Sequence, residues 1–550
     1  MFNVMKTKIL RSFSIVFLCC TVFSASATNY FVKSDAPSEN NGLSWESAFN
    51  LADFISAIGT TVVDGDAVFF AGGTYYPTLT TGIKLQNVNL TLKGGYPTNL
   101  TGTSTPELSY PTATPTILNG DNNADGIPNT GDVRNVIYVQ TTNTAYMATE
   151  RNTMIQGFTL TNCYYSGTTA YQVGAICVDC TQTVTIKNCI FENNLCENGG
   201  GAAFSNSGSK SYLVDCIIRE NKAGDAGAAI RSTKRGTAAA YFTASVAVER
   251  CLFADNELTK TGSVAGGSAI RLSSGNMWIL NSTIADNIGY NKGAIDMDSG
   301  TYLYLCSSTI ANNQNTNADA PKGSAIHATT AATIKLINSI MVGAKGSTEP
   351  VVYFENMSGQ TSSQFFSDGA NVVGLCTFVG GDGFVDNQQD IWDAVYDDCS
   401  SDNTYDAIFG TNILSNNGGF SKTLAPLNSK TFYEAAWLEN FLSTEYGCPF
   451  DVDELVDQRN IARSTNTSVG AYDSMLETNA VGDVMNENGI ILMNMGNDNY
   501  FIDGMISGIK VIDMQGCVVK EVQENKVNLS DLKKGVYLLL TIGKTFKIIR

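Results

Sequence analysis

A seven-residue phrase returns through the middle of this 550-residue chain and limits its fold more than any other feature. It reads Asn188-Cys189-Ile190-Phe191-Glu192-Asn193-Asn194, then Asp215-Cys216-Ile217-Ile218-Arg219-Glu220-Asn221, then Arg250-Cys251-Leu252-Phe253-Ala254-Asp255-Asn256. Later copies are Asn281-Ser282-Thr283-Ile284-Ala285-Asp286-Asn287 and Ser307-Ser308-Thr309-Ile310-Ala311-Asn312-Asn313, with weaker ones at Asn162-Cys163 and Asn338-Ser339. Aligned on Cys163, Cys189, Cys216, Cys251, Ser282, Ser308 and Ser339, the copies are spaced 26, 27, 35, 31, 26 and 31 residues apart. Between them stands a second phrase, Gly-small-Ala-apolar, as in Gly201-Ala202-Ala203-Phe204, Gly227-Ala228-Ala229-Ile230, Gly267-Ser268-Ala269-Ile270 and Gly323-Ser324-Ala325-Ile326. A third, alternating run such as Val184-Thr185-Ile186 or Tyr302-Leu303-Tyr304-Leu305 precedes each first phrase. Three short β-type runs per repeat, separated by turn residues, describe one coil of a three-sided solenoid.

Stacked coils bring equivalent positions into columns about 4.8 Å apart. Alternate residues of a strand share a face, so the Cys/Ser column points inward with the large apolar column. A stack of small inward side chains serves packing. The alternative is a disulfide between neighbouring coils, Cys163–Cys189 or Cys216–Cys251. Asn194, Asn221, Asn256, Asn287 and Asn313 form an expected asparagine ladder at a turn, satisfying backbone groups there.

Composition agrees with such a body. Hydrophobic residues reach 43% and charged residues only 16%, enough to bury a long core, and 51 glycines favour turns and strands over helices. The net charge of −18, with no compensating basic run, disfavours nucleic acid as a partner. Lys6, Lys8 and Arg11, the apolar run Phe13–Phe23 and Ala25-Ser26-Ala27 read as a signal peptide over 1–27, too short for a membrane span. Bulky Phe17 and Leu18 before Cys19 and Cys20 argue against lipidation. Signal removal leaves twelve of the 14 cysteines. Cys177-x-x-Cys180 has no second pair and no nearby histidine, so zinc is not expected.

On these residues the chain resembles secreted right-handed parallel β-helix proteins of the pectin-lyase-like type, especially a Bacteroidota form. Gly42-Leu43-Ser44-Trp45, an amphipathic stretch to Ile58, and Gly65 to Tyr75 are similar to their N-terminal part. A helix there would cap the first coil, whose bare edge would otherwise invite aggregation. Asn417-Gly418-Gly419, Asp457-Gln458-Arg459 and Val469-Gly470-Ala471-Tyr472 look like closing coils. The expected fold is therefore all-β: a right-handed three-sided parallel β-helix over 28–474, with 28–100 as N-terminal cap and first coils. A linker at 475–490 leads to a small β-sandwich over 491–550. That tail, with Ile509 to Gly516, Gly535-Val536-Tyr537 and the basic-apolar end Lys544 to Arg550, resembles a type IX secretion sorting domain. The resemblance implies contact with that secretion machinery, export across the outer membrane, and a cell-surface or extracellular location.

Chemistry is faint. Proteins of this type include polysaccharide hydrolases with clustered aspartates and a Gly-His element, which is missing here; the one histidine is His327. Lyases of the type use a basic residue, usually helped by a cation. One column could serve. The residue after each Gly-small-Ala-apolar phrase faces away from the core and is expected to be exposed: Cys177, Ser205, Arg231, Arg271, Asp296 and His327. Arg231 would stand beside Arg271 and Arg271 beside Asp296. Stacked arginines repel unless an anion separates them, which a bound acidic sugar or a surface salt bridge would resolve. Asp296 with Asp298 is the one hydrolytic carboxylate pair of note. Asp121, Asn123, Asp125 and Asp132 stand at positions 1, 3, 5 and 12 of a calcium-loop spacing with Gly126 at 6, though without flanking helices; a polar turn is the alternative. The reading that follows is a non-catalytic, adhesin-like or glycan-binding surface protein. The alternative is a lyase or hydrolase of acidic polysaccharide using Arg231, Arg271, Asp296 and His327.

Overall fold

The structure is a computed structural model. It describes residues 27–77, 82–142, 151–167, 173–179, 183–237, 240–262, 266–317, 321–355, 365–368, 371–379, 384–386, 400–427, 431–434, 438, 441–463, 466–473, 491–494, 499–503, 509–513, 516–522, 526–533, 536–541 and 544–549. The expected signal peptide up to Ser26 and the expected linker lie outside these residues.

Every coil strand pairs in parallel with the coil before and after it. The result is a right-handed parallel β-helix with three long faces. The first face has twelve strands, from Asn29–Val32 to Phe384–Asp386; the second has ten, from Gly73–Tyr75 to Val372–Val373; the third has ten, from Ile83–Gln86 to Cys376–Phe378. A fourth ladder of two-residue strands, Tyr164–Tyr165 to Gln314–Asn315, sits between the second and third faces in six coils. One coil thus runs Thr183–Lys187, Ile190–Glu192, Leu195–Cys196, Phe204–Ser207. Alternation places Val184, Ile186, Phe191 and Phe204 inside, in one core continuous along the coils.

The corners explain the repeated phrase. Asn188, Asp215, Arg250, Asn281, Ser307 and Asn338 all have φ near +50°, as do Asn193, Glu220, Asp255, Asp286 and Asn312 at the next corner. A single left-handed residue turns the chain from one face to the next, and Asn and Asp tolerate it best. Between the corners, the Cys/Ser column closes open carbonyls. Cys189, Cys216 and Cys251 aim their thiols at the carbonyls two residues back, Lys187, Val214 and Glu249, and Ser282, Ser308 and Ser339 donate to Leu280, Cys306 and Ile337. The asparagine ladder is present as well. Nδ2 of Asn194, Asn221, Asn256 and Asn287 each donates to Oδ1 of the next rung at 2.9–3.0 Å.

One alignment changes. Thr161 pairs with Glu192, so Cys163 stands opposite Asn194 in the ladder column, and Phe158 occupies the rung above Cys189. Cys163 and Cys189 are therefore in different columns and cannot bridge. Cys216 and Cys251 are vertical neighbours, and all four are free thiols. Burial pushes Cys163 and Cys189 up to about 12, so they stay protonated. Cys376 is disulfide-bonded.

The N-terminal helix, Leu51–Ala57, is capped by Asn50, whose side chain accepts from Asp53 N at 2.8 Å. It lays Phe54 edge-on against Phe70 (5.4 Å, 88°) and covers the first coil as expected.

The presumed closing coils do something else. The described residues between 400 and 473 run back along the outside as a strap. Tyr405, Phe409, Leu424 and Val469 pack on Ala311, Ile340 and Val372 of the second face. Leu438, Leu442, Tyr446 and Phe450 pack on Ala247, Trp278, Tyr212 and Tyr304 of the first. Trp278 Nε1 donates to Tyr446 O (2.9 Å), Asn281 Nδ2 to Asp453 O (3.0 Å) and Gly470 N to Asn338 O (2.9 Å). Residues 491–549 form two small antiparallel sheets around a separate core of Tyr500, Ile509, Val511, Val527, Leu529, Tyr537 and Leu539.

Candidate functional site

Outward positions of the third face fall into two polar columns. Register pairs Lys84, Tyr138, Cys177, Ser205, Arg231, Arg271, Asp296, His327 and Tyr353 in sequence, and the repeat predicted the stretch from Cys177 to His327. Two residues further along the strands stand Gln86, Gln140, Asp179, Ser207, Thr233, Ser273, Asp298, Thr329 and Glu355, on the same side.

The first column is not the exposed strip expected. Cys177, Ser205, Asp296 and His327 are fully buried. Their side chains turn away from the central core, yet they are covered. After Thr233 the chain forms an antiparallel hairpin, Arg235–Thr237 with Ala240–Phe242. Arg235 Nε reaches Asp179 Oδ1 (3.0 Å), which belongs two coils earlier. Asp179 also accepts from Tyr138 OH (3.1 Å) and Gln140 Nε2 (3.3 Å). Burial and the Asp179 charge keep Tyr138 protonated.

The lower rungs carry a charge network. Arg271 pairs with Asp296 and, through Nη2, with Asp298 (2.6 Å); its Nε donates to Ser273 Oγ (3.2 Å). Both aspartates thus hold one guanidinium, which removes them as a hydrolytic pair. His327 Nδ1 lies 2.6 Å from Asp296 Oδ1 and Nε2 lies 3.3 Å from Glu355 Oε1, whose other partner is Lys322. Lys292 Nζ is 3.9 Å from Asp296 Oδ2. Burial, then the Lys292 charge, lowers His327 to about 4, so the ring is neutral and Nδ1–H donates to Asp296. Burial, then Arg271, lowers Lys292. Burial raises Glu355, the hydrogen bond and charge of Lys322 lower it, and the carboxyl lies below its ordinary range.

Lys292, Lys322 and Glu355 are absent from the sequence-derived candidates. The lysines did leave a signal: each stands just before the glycine of the Gly-Ala or Gly-Ser-Ala phrase, at Lys292-Gly293 and Lys322-Gly323. In the coils above, that position is small, and a Cβ on Gly266 would lie 1.9 Å from Asp296 Oδ2.

Asp121, Asn123, Asp125 and Asp132 do share one loop, but not as converging ligands. Asp121 accepts from Asp125 N and Gly126 N, and Asp132 from Asn122 N and Asn129 N. Asp125 accepts from Ile127 N and, with Asn123, joins Asn129. Each carboxylate oxygen of Asp121 and Asp132 thus accepts one backbone N–H of the loop itself. Among the described residues no group of three or more His, Cys, Asp or Glu is set to hold a metal. Nor is any helix among the described residues long and apolar enough to cross a membrane.

A family model described as "Right handed beta helix region" matches residues 143–347. Among solved structures the chain is similar to pectate lyase Pel9A (11% identity, 82% of this chain and 97% of that one, TM-score 0.33). It is also similar to XylC solved with xylose (10%, 81% and 98%, 0.30) and to the PL6 family alginate lyase AlyGC (12%, 65% and 53%, 0.21). No curated protein matches the sequence. Family match, register and continuous core agree, and the chain is a right-handed parallel β-helix protein.

Proposed function

We propose that this is an exported, surface-displayed β-helix that binds acidic glycans along the outer side of its third face without cleaving them. One observation carries the reading: Asp296 and His327 have no exposed surface, while Arg271 (18%), Lys292 (13%) and Lys322 (30%) reach the rim. A ligand would meet cations, with the buried acid and imidazole holding them in place from below. Three cations (Arg271, Lys292, Lys322) balance three carboxylates (Asp296, Asp298, Glu355) around a neutral His327, with Arg231 on the rung before Arg271, on a chain of net −18. Such a patch admits anionic polymers that the remaining surface repels. Export belongs to the same proposal, with 1–27 as signal and 491–550 as the element addressing type IX secretion. Deleting 491–550 should leave the protein inside the outer membrane on fractionation.

The test is binding of the mature protein to immobilised acidic polysaccharides. Retention should weaken with salt and drop at least several-fold in Lys322→Gln, whose half-exposed side chain leaves the buried network standing. Lys322→Gln binding as well as the parent would overturn the reading. A second reading, β-elimination, is favoured by Lys292: burial and the neighbouring Arg271 lower it, the direction that suits a base removing a proton alpha to a carboxylate. Unsaturated product that disappears in Lys292→Ala would establish it.

A further inference from the structure

We infer that Tyr353 is the sugar-stacking platform of this site, so that the ligand is recognised as a pyranose ring and not by its charge alone; this rests on the glycan-binding reading above. Tyr353 continues the first outward column. Register runs Asp296, His327, Tyr353, Thr377, and among the described residues the third face ends on that last strand. The Tyr353 ring lies 6.1 Å from the His327 ring at 17°, a stacked pair. Asp296 holds His327 through Nδ1, and Arg271 holds Asp296, so the tyrosine ring rests on a fixed support. The imidazole covers one face of that ring. On the other side the next side chain of the column is Thr377, which ends well short of the outer half of a phenol ring. Tyr353 is accordingly half-buried, where Asp296 and His327 are fully buried.

Open polar groups stand beside the ring. Glu355 follows two residues later on the same side, with its side chain 32% exposed. Its Oε1 faces both Lys322 Nζ and His327 Nε2 (3.3 Å), whereas its Oε2 makes no hydrogen bond among the described residues. Lys322 carries three N–H donors, and among the described residues Glu355 is their one acceptor. A pyranose has an apolar face of C–H groups and a rim of hydroxyls, each of them donor and acceptor. The electron-rich face of an aromatic ring attracts the C–H groups. An ionised carboxylate accepts from the hydroxyls, and an ammonium donates to them. A supported ring, an open carboxylate oxygen and open ammonium hydrogens meet at this end of the column, and together they match a sugar. A polyanion without rings would use Lys322 and leave Tyr353 idle.

The experiment compares the full mature chain with Tyr353→Phe and Tyr353→Leu on two kinds of immobilised polyanion. Polygalacturonate, alginate and chondroitin sulfate supply sugar rings; poly-L-glutamate supplies charge without them. Leucine keeps apolar bulk at the position and removes the aromatic face. Tyr353→Leu should bind the retained polysaccharide about three- to tenfold more weakly, the scale of one lost ring contact, while Tyr353→Phe stays within about twofold of the parent. Binding to poly-L-glutamate should be the same in all three proteins. Should Tyr353→Leu fold poorly by circular dichroism, Thr377→Phe gives the same comparison, because it closes the open side of the ring and leaves Tyr353 in place. Equal loss on both kinds of polymer, or no loss in a folded variant, overturns the inference and leaves glycan binding through Lys322 intact. A parent protein that retains none of the polysaccharides removes the glycan reading and this inference with it.

Discussion

At the scale of single residues, the coils are held by side chains that answer for backbone groups at the corners. Asn256 shows the load: its Oδ1 accepts from both N and Nδ2 of Asn221, while its Nδ2 donates to Ile218 O and Asn287 Oδ1. Asn256→Ala should leave buried donors unpaired at about 1–3 kcal/mol each, read as a lower midpoint in denaturant titration. Cys216→Ser, by contrast, should cost less than about 1 kcal/mol, because serine already does the same work at Ser282, Ser308 and Ser339. His327 makes a pH prediction with a defined sign. Its folded value of about 4 lies below the ordinary 6.5, so between those limits the unfolded chain binds a proton that the folded chain does not. Protonation therefore favours unfolding. The contribution is complete above pH 6.5 and is lost as pH falls toward 4, on the order of 3 kcal/mol in all. Parent and His327→Asn should diverge in stability over that window and run parallel above it. Parallel curves throughout would mean that the imidazole is not held neutral.

At the scale of elements, the strap decides which outer residues the coils can carry. The outward column of the second face runs Glu192, Arg219, Ala254, Ala285, Ala311: charged where nothing covers it, alanine along the coils the strap crosses. Ala311→Glu restores the residue type of an upper coil and should leave that coil folded while lifting the strap. Faster limited proteolysis within 400–473, with little change in far-ultraviolet dichroism, is the expected result. Arg463 ties the strap to itself and to the coils, donating to Val456 O, Thr467 Oγ1, Gly470 O and Asn281 Oδ1. It is buried, so Arg463→Ala leaves those acceptors open and should cost about 3–5 kcal/mol. The hairpin at 235–242 and the strap are alike in kind. Both lie outside the repeat.

At the scale of the whole molecule, a solenoid is stabilised coil by coil, each touching only its neighbours. The strap breaks that rule by joining rungs from Tyr212 to Val372. Hydrogen exchange should therefore find those coils opening together and more slowly than the coils above Tyr212, and Ala311→Glu should abolish the difference. The sequence alone determined the coil. Left-handed corners, the Cys/Ser and asparagine columns and the period-two alternation are set by local backbone geometry, repeated at nearly constant spacing, and so they can be read residue by residue. The same register correctly put Arg231, Arg271, Asp296 and His327 in one line. What the repeat could not state is what lies on top of it. Alternation says which side a side chain takes, not whether that side meets water. The burial of His327, the pairing of Lys322 with Glu355, the latch of Arg235 on Asp179 and the return of 400–473 along the outside all join residues from different coils through non-repeating segments. Val469-Gly470-Ala471-Tyr472 has the local look of a coil phrase and packs instead against Ile340 and Thr309. Only the tertiary structure decides these contacts, because they are fixed by burial and charge pairing between distant parts of the chain.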